Sequence, residues 1–111
     1  MKRNYLGEFQ EVVLLTILIL DDNAYGVTIQ NEIRERLGRS VSRGALHTAL
    51  TRLTEKGLID SKTGGASKQR GGRRKRFYQL TNQGKEALRD ARDKRDQLWN
   101  AVPDFSMRMA F

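Results

Sequence analysis

With 111 residues, no cysteine, one histidine and a formal net charge of +8, the chain has room for one hydrophobic core and lacks the thiols needed for disulfides, thiolate nucleophiles or zinc–thiolate sites. A hydrophobic content of 38% beside 31% charged residues fits a soluble, surface-rich domain. The longest apolar run, Val12 to Leu20 around Thr16, falls far short of the ~20 residues that cross a bilayer. No small-residue cleavage site follows the Met1-Lys2-Arg3 start, so the chain reads as cytoplasmic, without a membrane partner.

Tyr5 to Leu20 predicts a first helix. Its apolar residues, from Leu6 and Phe9 through Val13, Ile17 and Leu20, cover more than one stripe, and such a helix must be buried on more than one side. In a domain this small, one side can face the chain's own core and another a partner subunit. Asp21-Asp22-Asn23 closes the helix with turn-favouring residues. A second helix spans about Ala24 to Leu37, with Val27, Ile29, Ile33 and Leu37 as a partial stripe, Glu32 to Arg36 as an ion pair and Gly38 as the C-cap. Ser40 or Ser42 caps a third helix that runs to about Lys56 and closes at Gly57. On it Leu46, Ala49, Leu50 and Leu53 face inward, leaving Arg43, His47, Thr48, Thr51, Arg52 and Glu55 toward solvent.

Leu58 to Lys62 and Lys75 to Leu80 predict two short strands joined by a glycine-rich loop. Thr81 or Asn82 caps a last helix to about Ala101, which Pro103 stops. On that helix Leu88, Ala91, Arg95, Leu98 and Val102 form a narrow seam suited to subunit pairing, with packing on its own domain as the competitor. The tail from Asp104 to Phe111 reads as frayed. The expected division is therefore 1–81, 82–103 for a dimerisation helix, and 104–111 for a flexible tail.

Charge is concentrated in one place. From Ser61 to Lys85 the chain carries Lys62, Lys68, Arg70, Arg73, Arg74, Lys75, Arg76 and Lys85 and no acidic residue. The remaining 13 basic residues equal the 13 acidic ones, so the whole net charge resides in this stretch. Such a local positive field suits nucleic-acid phosphate; a solvated charge run is the plain alternative. Three helices, a glycine-rich basic hairpin and a fourth helix make the layout of a winged helix-turn-helix. The expected fold is mainly α with a two-stranded β-hairpin. The turn Gly38-Arg39-Ser40 would let the third helix project into a major groove while the hairpin reaches across the phosphates.

Tyr5-Leu6-Gly7, Ala24-Tyr25-Gly26, the run Val41 to Leu50, Arg52-Leu53, Lys56-Gly57-Leu58-Ile59, and the wing from Gly71 to Thr81 with Gly84 following are together similar to PadR-family transcriptional regulators. The resemblance covers about residues 5 to 88 and keeps motif order and spacing. It implies a dimeric winged-helix protein, usually a repressor on a palindromic operator, with the C-terminal helix in the dimer contact. His47 stands where family members mostly carry tyrosine. The short C-terminal part resembles the compact branch of the family, which includes members that bind flat aromatic compounds between subunits.

The expected DNA contacts are Ser42, Arg43, His47, Thr48 and Arg52 on the third helix, with Lys68, Arg70, Arg73, Arg74 and Arg76 on the wing. Ser42 is equally suited to capping. Tyr25 is expected to pack the core or touch a phosphate. Trp99, beside the seam, either fills the dimer contact or walls a cavity for a planar aromatic effector, with Phe9, Val13 and Ile17 lining the same space. A single histidine argues against a metal site or a histidine-based triad, and the glycine pairs lack the spacing of a nucleotide-binding loop. No catalytic residue, metal or cofactor is expected. The leading expectation is a homodimeric repressor of double-stranded DNA; the alternative is a non-sequence-specific architectural or RNA-binding module.

Overall fold

The computed structural model describes residues 6–64 and 75–104. In chain order they form α1 (Glu8–Leu20), a 3₁₀ turn (Asp21–Asn23), α2 (Gly26–Leu37), α3 (Arg43–Glu55), β1 (Ile59–Gly64), β2 (Lys75–Leu80) and α4 (Asn82–Ala101). β1 and β2 pair antiparallel, with Ile59 opposite Leu80 and Gly64 opposite Lys75. This is the winged helix-turn-helix arrangement expected from the sequence.

Local chemistry explains the boundaries. Glu8 and Glu11 lie in the first turn of α1, where carboxylates oppose the helix dipole. α2 starts two residues later than its apolar pattern suggests, because the Tyr25 N–H donates to Thr28 Oγ1 (2.9 Å) and fixes Tyr25 in extended backbone as the N-cap. Gly38 ends α2 at φ 63°, with its N–H on the Arg34 carbonyl. Between the two sequence candidates for the α3 cap, Ser42 takes the role: its Oγ accepts from the Ala45 N–H at 3.0 Å. The expected Glu32–Arg36 ion pair is present on α2.

Leu14 and Ile17 of α1, Ile29 and Ile33 of α2, and Leu53 and Leu58 around the end of α3 are the fully buried centre. The first turns of α4 join the same core through Gly84, Ala87 and Leu88. Their seat is a backbone corner. Thr81 donates its N–H to the Leu58 carbonyl (3.0 Å) and its hydroxyl to the Gly57 carbonyl (2.7 Å), while Thr81 Oγ1 accepts from the Gly84 N–H. Gly84 sits so near that a Cβ on it would lie 2.1 Å from the Leu58 carbonyl oxygen. Beyond Ala91 every α4 residue to Ala101 is exposed. Leu15, Leu18 and Ile19 on the outer side of α1 are also exposed, at 44–50%. No described helix is long and apolar enough to cross a membrane.

Candidate nucleic-acid interface

α3 is two-faced. Leu46, Ala49, Leu50 and Leu53 are buried, and Arg43, His47, Thr48, Thr51 and Arg52 are exposed. Two side chains hold the turn that leads into it. Gln30 Nε2 donates to the Val41 carbonyl at 2.9 Å, and Arg39 Nη1 reaches both Glu8 carboxylate oxygens at 3.0 and 3.1 Å. The Arg39 guanidinium also lies 5.2 Å from the centre of the Phe9 ring. The angle of α3 is thus braced from α2 and from α1.

The first turns of α3 share a cleft of about 590 Å³ with the start of α2 and the base of the wing. Arg43, His47, Lys75 and Arg76 line it together with Tyr25, Gln30 and Tyr78, and among the described residues no carboxylate does. Leu46 and Leu50 contribute apolar lining. Arg76 is steadied by a hydrogen bond to Ser61 Oγ (3.0 Å), and Lys75 by Tyr25. Burial pushes the Tyr78 phenol above its ordinary pKa, and the Arg76 guanidinium pulls it partly back. Tyr78 therefore stays protonated at neutral pH. A second cleft, of about 610 Å³, is lined by Asp21, Asp22 and Asp60 with Lys62. The charge contrast between the two gives the molecule one cationic side suited to a polyanion.

The structure brings Arg43, His47 and Arg76 together, as candidates chosen from sequence. Thr48 and Arg52 are exposed on α3 but do not line the cleft, and Ser42 is engaged as the helix cap. Lys68, Arg70, Arg73 and Arg74 lie outside the described residues. Lys75 and Gln30 were not among the sequence candidates. Lys75 was legible as part of the basic run; Gln30 carried no signal, because its place depends on how α2 crosses α3.

The aromatic-effector candidates do not converge. Val13 and Ile17 are 0% and 1% exposed in the chain's own core, which corrects the expectation that they line a shared cavity. Phe9 lies under Arg39, on the side of α1 that meets the helix-turn-helix. Trp99 instead lines a cleft of about 430 Å³ with Glu11, Leu15, Leu18, Leu88 and Arg95. Core packing took Val13 and Ile17 because α1 is apolar nearly all round, and the periodicity did not say which stripe would face inward. The seam on α4 divides in the same way. Leu88 is buried in the chain's own core, Ala91 is half-buried against it, and Arg95 pairs with Glu11 of the same chain. Leu98 and Trp99 are exposed, and Val102 is half-buried at the helix end.

Comparison with known proteins agrees with this architecture. A PadR family transcription regulator from Clostridium difficile is 29% identical over 87% of this chain and 97% of its own, with a TM-score of 0.69. A PadR-like transcriptional regulator from Bacillus cereus shares the fold at 20% identity, over 87% of this chain and 89% of its own (TM-score 0.70). Bacillus subtilis PadR in complex with operator DNA shares it at 24% identity, over 74% of this chain and 45% of its own (TM-score 0.60). No curated protein matches the chain. The family model for PadR-like transcriptional regulators, which are not enzymes, matches residues 14–90. That span is more than half of the chain, and the protein therefore belongs to the PadR-like transcriptional regulator family.

Proposed function

We propose that the chain is a sequence-specific DNA-binding repressor that acts in the cytoplasm as a homodimer on a palindromic operator. The observation that carries this reading is the carboxylate-free cleft joining Arg43 and His47 of α3 to Lys75 and Arg76 of the wing. In that arrangement α3 enters a major groove and the wing base lies along the flanking phosphates. Arg43, His47, Thr48 and Arg52 read or clamp the groove. Ser42 caps α3 beside it, and Lys68, Arg70, Arg73 and Arg74 extend the contact from the wing. The solved complex of Bacillus subtilis PadR with operator DNA supports the choice of polyanion.

Dimerisation fits the apolar surface that α1 and α4 leave open: Leu15, Leu18, Ile19, Leu98 and Trp99 are all 44% or more exposed. Paired α4 helices would place the two α3 helices on successive major grooves, about 34 Å apart. A flat aromatic effector stacked on Trp99 in the α1/α4 cleft, preferring a dimer that cannot span that distance, would release the operator.

The test is binding of the purified protein to duplex DNA from its own upstream region, at rising salt and against random-sequence competitor. Competitor-resistant binding establishes the sequence-specific regulator. Binding lost equally to competitor replaces it with an architectural or RNA-binding module.

A further inference from the structure

The outer half of α4 is a lever with one polar tether among the described residues. From Arg92 to Ala101 every residue is exposed, so this half contributes nothing to the buried core, and Trp99 only lines the cleft with Leu15 and Leu18 while staying 57% exposed. Its ion pairs Lys94–Asp90 (3.0 Å) and Arg92–Asp96 (3.7 Å) run along α4 itself. One described ion pair leaves the helix: Arg95 Nη1 stands 2.6 Å from Glu11 Oε1 on α1. Glu11 is the recessed member, with its side chain 12% exposed against 51% for Arg95. Its Oε1 is buried and accepts no hydrogen bond from a described group. The pair is held by charge, and that oxygen has no other described polar partner. Arg89 and Arg92 line the same cleft without reaching it.

From these contacts we infer that Glu11 and Arg95 are positioning residues that set the angle of α4 against the DNA-reading body. The consequence for DNA rests on the dimeric reading above, in which α4 carries the second subunit. Ten residues of helix make an arm of about 15 Å, so a tilt of roughly 10° moves its end by about 2–3 Å. That is close to the ~3.4 Å step between base pairs, and both subunits contribute. A contact with no part in binding DNA would thereby decide which half-site spacing the dimer fits.

The absence of cysteine in the parent sequence makes the angle measurable. Cysteines introduced at exposed sites on α2 (Glu35→Cys) and α4 (Asn100→Cys) are spin-labelled, and the labelled chain is diluted with unlabelled chain. The distance distribution is then read by pulsed electron resonance in parent, Glu11→Gln, Arg95→Gln and Glu11→Arg/Arg95→Glu backgrounds. Arg95 is half exposed, so its substitution removes the charge without entering the core. The expected result is a shift of about 2–3 Å, or a matching broadening, in both single variants, with the parent distribution restored by the exchanged pair. Unchanged distributions in the single variants, or an exchanged pair as broad as they are, overturn the inference. A second arm compares operators with one base pair added or removed between half-sites. Single variants are expected to lose the parent's preference among them. A parent that binds no DNA specifically, while its distances still respond to the substitutions, fails the DNA reading and leaves the positioning role standing.

Discussion

The Lys75 ammonium stands 4.5 Å from the centre of the Tyr25 ring and 3.3 Å from its hydroxyl oxygen. Tyr25 caps α2, and Lys75 opens β2, 50 residues further along the chain. The same ring meets Phe77 edge to face at 5.3 Å, and the Tyr78 N–H donates to the Ala24 carbonyl next to it. One aromatic side chain thus joins the first helix of the helix-turn-helix pair to the base of the wing. It also holds one of the wing's cations in place before any ligand arrives.

Tyr25→Leu should weaken DNA binding by roughly 2- to 5-fold, the size of an exposed cation–π contact of about 0.5–1 kcal/mol. Tyr25→Phe keeps the ring and should stay close to the parent. Fluorescence anisotropy with operator duplex checks both. Equal losses in the two variants would mean that the hydroxyl, through its contact with Lys75 or with DNA, carries the effect rather than the ring face.

Ser42 separates capping from DNA contact. Ser42→Ala removes the acceptor for the Ala45 N–H and should cost about 1 kcal/mol in urea unfolding. Ser42→Asp retains a capping oxygen and should hold stability, but it sets a negative charge beside the cleft and should lower DNA affinity. If both variants bind DNA like the parent, Ser42 acts only as a cap.

Gly84→Ala should destabilise the fold by about 1–3 kcal/mol, because the new methyl meets a backbone carbonyl rather than a side chain that can swing aside. The measurement is the urea midpoint at constant m-value. An unchanged midpoint would show that the corner of β1 and α4 opens without cost.

Arg43→Ala should reduce discrimination between operator and random duplex, since in the proposed complex its place in the first turn of α3 puts it in the groove. Arg76→Ala should weaken binding to both alike and lower the slope of log affinity against log salt by about 1. The same flattening is expected from Arg73→Ala and Arg74→Ala. Salt titrations on both duplexes distinguish a base contact from a phosphate contact.

Leu18→Lys places a charge in the exposed α1 surface beside Trp99 and should convert the proposed dimer to single chains while leaving helix content intact. Light scattering after size exclusion gives the mass, and circular dichroism checks the fold. A dimer that persists would move the interface away from α1.

The local chemistry of this chain was written in its residues. Gly38 as a helix stop, the strand from Lys75 to Leu80, the acid-free basic run and the cap candidates Ser40 or Ser42 and Thr81 or Asn82, of which Ser42 and Thr81 take the role, each depend on neighbours within a few positions. Those neighbours are fixed by covalent order, so composition and spacing sufficed to give the helices, the hairpin and the winged helix-turn-helix order. What only the tertiary structure decided is which apolar stripe of α1 went inward, burying Val13 and Ile17 and leaving Leu15 and Leu18 open. It also decided that Arg95 would answer Glu11 in its own chain, and that Tyr25 would hold Lys75. These choices follow from how helices cross one another, and a helix with apolar residues on every side is satisfied by several crossings until the whole core is packed.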